Sequence, residues 1–155
     1  MSTDNANWAD TYRNVVLGHH RQPRNRGPLP QATHEALGHN VLCGDRIDVR
    51  LQIVDERIAD ARFEAEAGAL TIAAASMLTE HVRGMKVAQA TRYAESARTA
   101  LEGDAEQDLP NDLGELAALA GVRAYPSRRR AVTLPIAALQ AALVGESATT
   151  TESAG

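Results

Sequence analysis

Cysteine occurs once in these 155 residues, at Cys43. That count excludes an intrachain disulfide and a four-cysteine metal cage. Aromatic residues make up only 3%, so a core has to be built from Ala, Leu, Val and Ile, for which the 44% hydrophobic content suffices. No run approaches the ~20 apolar residues that cross a bilayer, so no membrane association is expected. Met1 to Asn7 are polar and lack the basic start and apolar stretch of a secretory leader. A cytoplasmic, reducing setting is the simplest expectation, and it would keep a lone thiol reduced. Basic excess is missing too. The net charge of −4 disfavours nucleic acid as a partner, because binding it needs phosphate neutralisation. The run Arg128-Arg129-Arg130, with Arg123 nearby, reads as a solvated face or as a docking patch for an acidic partner.

The chain length suits one domain. Residues 1–7 and the Ser-, Thr-, Ala- and Glu-containing tail 145–155 read as disordered, leaving a domain over 8–144. A first helix is predicted from about Trp8 to His19, with Asp10 and Thr11 helping to cap its start and an apolar stripe of Tyr12, Val15 and Val16. Pro23, Gly27, Pro28 and Pro30 then break the chain. Ile47, Val49, Leu51 and Ile53 alternate along one strand face. Asp55-Glu56 makes a turn, and Ile58, Ala61, Phe63 and Ala65 give a second strand, so 46–66 reads as a hairpin. A third strand over Thr33–His39 pairs with the first. After Gly68, residues Leu70, Ala73, Ala74, Met77, Leu78 and Val82 recur at helical spacing up to Gly84. Helices are also predicted over Met85–Leu101, Leu113–Leu119 and Ser127–Val144, with Asp104–Pro110 as an acidic loop. Pro135 fits best in a first turn, which would move the last start toward Thr133. The order of helix, strands, then helices indicates an α+β domain: a small antiparallel three-stranded sheet with helices packed on one face.

Chemistry concentrates in Asn40-Val41-Leu42-Cys43-Gly44-Asp45-Arg46. A thiol there can bind a soft metal, or act as a nucleophile once ionised. Lone cysteines are often inert core residues, but a Gly-Asp turn among polar neighbours argues against that here. Asp45 could serve beside the thiol or merely cap a turn. Gly68 could be a strand-to-helix hinge, and His19 could simply end the first helix.

Several segments in order resemble the IscU/SufU/NifU N-terminal family of iron–sulfur cluster assembly proteins. They are Tyr12-Arg13 with Gly18-His19-His20-Arg21-Gln22-Pro23-Arg24-Asn25-Arg26-Gly27, then Cys43-Gly44-Asp45, then Phe63 to Gly68 with Ala74-Ala75-Ser76-Met77, then Gly121 to Arg128. The resemblance spans Trp8 to Val144, and the acidic insert is similar to the SufU branch. It implies a SufE/IscU-like fold and a site of three cysteines with an aspartate or histidine, which holds zinc or a nascent cluster. The first cysteine and the aspartate fall on Cys43 and Asp45. The other cysteine positions fall on Gly68 and Ala131, and the histidine position on Arg130. Cys43 and Asp45 are therefore the candidate metal ligands of an incomplete site. No cofactor is expected within one chain, with residual zinc or an iron–sulfur cluster as the exception. His39 is the nearest histidine that could substitute. Two chains could also share a site at a two-fold axis.

The resemblance points to a metal-free persulfide acceptor. Cys43 would take sulfur from a SufS-like cysteine desulfurase, whose pyridoxal phosphate belongs to that partner, and Asp45 would modulate the thiol. If the loop packs as in the family, the thiol lies near the start of the helix after Gly68, where the dipole favours thiolate. Asp45 opposes this unless it pairs with Arg46 or Arg130. Two alternatives stay open: a site-degenerate regulatory module that docks on the desulfurase or assembly complex without chemistry, and a scaffold with replacement or intersubunit ligands.

Overall fold

The computed structural model describes the backbone of residues 2–150, and side chains from Asp10 on with Thr11 excepted. Among the described residues the order is α1 (Ser2–Arg21), β1 (His34–Asn40), β2 (Asp45–Val54), β3 (Arg57–Glu66), α2 (Ala69–Val82), α3 (Val87–Glu102), a 3-10 segment (Gly114–Ala124), α4 (Pro126–Leu143) and β4 (Ala148–Thr150). The class is α+β, as expected.

The hairpin forms where the alternation placed it. β2 and β3 pair antiparallel from Arg46↔Glu66 to Val54↔Arg57, with a register shift between Gln52 and Ile53. That shift breaks the period of two, so Ile47, Val49 and Leu51 are fully buried while Ile53 is only partly covered. β1 pairs antiparallel with β2 from His34↔Leu51 to Asn40↔Asp45. The expected three strands are four, in the order β3-β2-β1-β4. β4 adds in parallel at Leu37↔Ala148 through His39↔Thr150, a part of the chain whose composition had predicted disorder. The open edge of β1 supplies the unpaired backbone groups that recruit it. The remaining tail residues, 151–155, lie outside the described residues, as does Met1.

Helix α1 begins at Ser2 rather than near Trp8. Ser2, Thr3 and Asp4 are residue types that favour helix starts, and Asp10, inside the helix, pairs with Arg13 at 3.8 Å instead of capping. Helix α2 is buried on nearly every side, from Thr71 through Thr79, as a central helix must be when it is apolar all round. It packs against α1, α4 and β3. Helix α4 covers the inner face of β1 and β2. The approach is close at Gly38, where a Cβ would lie 3.0 Å from Ile47 Cγ2 and 3.2 Å from Ala138 Cβ.

Helix α4 starts at Pro126, not near Thr133, and carries Pro135 inside it. The starting proline suits a first turn. The internal one removes a backbone donor that must be replaced from elsewhere. Arg123 does not join the arginine run. Its guanidinium donates to the carbonyls of Ala105, Gln107 and Ala120 at 2.8, 2.8 and 2.9 Å, and so staples the acidic loop to the 3-10 segment. His81 stacks on Tyr93 at 4.1 Å, and the Tyr93 hydroxyl donates to the Leu113 carbonyl at 2.6 Å. On the open face of the sheet, Arg50 bridges Glu35 and Asp48 at 2.8 Å each.

Candidate functional site

Cys43 sits on the turn that joins β1 to β2, and its side chain is exposed. Two features shape the turn. Gly44 adopts φ +73°, a left-handed conformation that glycine enters without a Cβ penalty. Its N–H donates to the Val41 carbonyl at 3.2 Å. The Cys43 N–H donates to Asn40 Oδ1 at 3.3 Å, and Asn40 is fully buried. Beside the thiol, Val41 and Leu42 are 62% and 72% exposed. The loop therefore offers a sulfur atom flanked by two uncovered apolar side chains.

Asp45 closes the same hairpin, opposite Asn40, but its carboxylate turns inward and is 6% exposed. Oδ1 accepts the Gly68 N–H at 3.1 Å. Oδ2 lies 3.1 Å from the Thr71 hydroxyl, which is also 3.0 Å from the Ala131 carbonyl. Gly68 has no side chain with which to cap α2, so Asp45 caps that helix from the neighbouring strand, where the positive end of the dipole favours a carboxylate. The carboxylate expected to pair with Arg46 or Arg130 makes these contacts with Gly68 and Thr71. Alternation along the strands explains the loss of Arg46: Asp45 faces the helices, while Arg46 is exposed. His39 is exposed as well and pairs in register with Arg46, on the face opposite Asp45.

The structure thus gathers Asp45, Gly68 and Ala131 around Thr71, with Cys43 on the adjoining turn. Thr71, at their centre, was not singled out in the sequence. Its only prior signal is the helical start just after Gly68, since a threonine in a first turn can satisfy a neighbouring group.

This donor set does not fit a tetrahedral zinc ion. Zinc needs four nitrogen, sulfur or carboxylate donors. Here Cys43 is the sole thiol, both Asp45 oxygens are engaged, and Gly68 and Ala131 have no donor side chains. Among the described residues no group of three His, Cys, Asp or Glu side chains is placed to hold a metal.

A second polar cluster lies further along α2. His19 is 4% exposed. Its Nδ1 is 2.7 Å from Ser76 Oγ, and its Nε2 is 3.1 Å from both Glu115 oxygens. Ser76 Oγ also accepts the Arg24 N–H at 2.8 Å. One neutral tautomer satisfies every partner, with Ser76 donating to Nδ1 and the Nε2 proton going to Glu115. The residue types are those of a hydrolytic triad, but Ser76 has no exposed surface and its oxygen is already occupied. The trio is a clasp joining α1, α2 and the 3-10 segment. His19 therefore does more than end a helix. The sequence hid this because its partners stand 57 and 96 positions away.

No helix among the described residues is long and apolar enough to cross a membrane.

Comparison with known proteins adds to this geometry. Residues 11–132 match the family described as NifU-like N terminal domain. The chain is 33% identical over 142 residues to the zinc-dependent sulfurtransferase SufU of Bacillus subtilis, covering 92% of this chain and 95% of that protein. It is 30% identical over 132 residues to the iron–sulfur cluster assembly scaffold protein IscU of Streptococcus pyogenes, covering 85% and 82%. The crystal structure of the N-terminal part of a nitrogen-fixing NifU-like protein from Brucella abortus shares the fold, with a TM-score of 0.75 at 22% identity over 89% of this chain and 96% of that one.

Proposed function

Because this chain belongs to the NifU-like N-terminal domain family, we propose that it works in iron–sulfur cluster assembly, as a sulfur carrier that needs no metal. Cys43 is the working atom. As thiolate it attacks the outer sulfur of a persulfide on a cysteine desulfurase. The new bond joins Cys43 Sγ to that sulfur, and the bond to the desulfurase cysteine breaks. That cysteine leaves as thiolate, so no net oxidation occurs.

The observation that carries this reading is the separation of Cys43 from Asp45. The thiol is on an exposed turn, while the carboxylate expected beside it is buried in other contacts. The sulfur is thus open to a protein partner, which supports transfer by the thiol alone. Val41 and Leu42 on the same turn give a protein partner apolar surface to cover.

Incubation with a cysteine desulfurase and radiolabelled cysteine tests the proposal. Label is expected on Cys43, and Cys43→Ser is expected to abolish it. An unlabelled native chain, with several desulfurases including the one from its own source, would refute the carrier role.

A second reading, docking without chemistry, draws on the same exposed apolar pair and on Arg128, which stacks over the Tyr125 ring at 4.8 Å at the start of α4. Under that reading Cys43→Ser binds the desulfurase as well as the native chain does, and no label ever accumulates.

A further inference from the structure

Pro135 has no N–H, so the carbonyl of Ala131, four residues earlier in α4, lacks its usual helical donor. The Thr71 hydroxyl takes over that role at 3.0 Å. The same hydroxyl lies 3.1 Å from Asp45 Oδ2, so its single hydrogen is shared between a carbonyl and a carboxylate. Asp45 holds the first N–H of α2 through Gly68. Thr71 is fully buried. A strand end, a helix start and a helix defect therefore close on one another through two side chains. These are the three elements that carry Cys43 with Asp45, position 68 and position 131. A metal bound by those positions would tie the same three together.

We infer that Thr71 is a positioning residue for Cys43: with Asp45 it forms a hydrogen-bonded lock that joins β2, α2 and α4 in place of a metal and fixes the turn carrying the thiol. One end of that turn is anchored by Asn40, which receives the Cys43 N–H. The other end is anchored by Asp45, which strand alternation turns inward and the lock holds there. Without the Thr71 hydroxyl the buried carboxylate keeps only the Gly68 N–H and the Ala131 carbonyl loses its side-chain donor, so the anchor of the turn at Asp45 weakens. The lock deepens the carrier reading and rests on it only for what Cys43 does.

Thr71→Val removes the hydroxyl at nearly constant shape, and Thr71→Ser retains it. In Thr71→Val the Gly68 amide is expected to exchange with solvent roughly tenfold faster, the size of one lost buried hydrogen bond, and sulfur uptake from a desulfurase is expected to slow several-fold. Alkylation of Cys43 by a small neutral reagent should hold near the native rate, since the thiol is exposed in both. Thr71→Ser should match the native chain throughout. If Thr71→Val does not fold, Asp45→Ala is measured instead, with the same losses expected. Native Gly68 exchange and native sulfur uptake in the loss variant would overturn the lock. So would stoichiometric zinc held by the native chain through Cys43. Absence of persulfide on the native chain refutes the carrier reading instead, and Gly68 exchange then still decides the lock.

Discussion

Helix α2 is held at two places by polar side chains from distant segments, and the two places differ in what they leave open. In its middle, Ser76, His19 and Glu115 close on one another with the Arg24 backbone, and the imidazole and hydroxyl are both buried. At its N-terminus, Asp45, Gly68, Thr71 and Ala131 also close on one another, but the reactive atom of that region, Cys43 Sγ, stays outside on an exposed turn. A catalytic-looking trio with no access to solvent is a clasp. A lone thiol beside a self-satisfied cluster is free for chemistry. The fold is held by the buried groups, and the proposed sulfur transfer falls to the one thiol they leave exposed.

That contrast can be broken most severely by rebuilding the missing donors. Gly68 has extended backbone angles, and a Cβ there meets nothing within 4 Å. Gly68→Cys combined with Ala131→Cys is therefore expected to fold and to bind zinc stoichiometrically, raising Tm when zinc is added. The native chain should show neither effect. Failure of the double variant to take up zinc would mean that these positions do not converge with Cys43.

A smaller effect sharpens the other side. His19→Ala leaves Ser76 and Glu115 without their shared partner, so it should cost about 2 kcal/mol of stability in chemical denaturation. Folded His19→Ala should still take up sulfur at the native rate. Slower uptake at unchanged stability would place His19 in the chemistry and erase the distinction.

The smallest effect concerns pH. Burial holds the His81 imidazole below its usual value of 6.5, with Asp112 opposing the shift. A base whose pKa is lowered by folding binds more protons when unfolded, so stability falls as pH drops below about 6.5. Replacing His81 by Phe keeps a ring against Tyr93 and should flatten that part of the stability profile. An unchanged slope between pH 7 and 5 would show that other groups set it.

Much of the architecture was legible because its signals are local. The period of two from Ile47 to Leu51, the turn at Asp55-Glu56 and the helical repeat after Gly68 each state their own geometry. What the sequence concealed depends on partners far along the chain. β4 needed the vacant edge of β1. The long α4 needed an outside donor for the carbonyl that Pro135 orphans, and Thr71 could be found only once α2 and α4 were side by side. The site was half legible: Cys43 and Asp45 stand out as a motif, but the inward turn of Asp45 follows from strand alternation combined with the bare start of α2. Arg123 looked like part of a basic run and instead holds three carbonyls, because a guanidinium satisfies backbone as readily as it displays charge.

The decisive measurement is sulfur transfer with metal controlled. Native chain stripped by chelator is mixed with a cysteine desulfurase and radiolabelled cysteine, and the modified residue is mapped. If Cys43 works alone, label appears on Cys43 at the same rate with chelator as without it. If label appears only after zinc is restored, or if the native chain retains zinc through Cys43, a metal-free carrier is the wrong description.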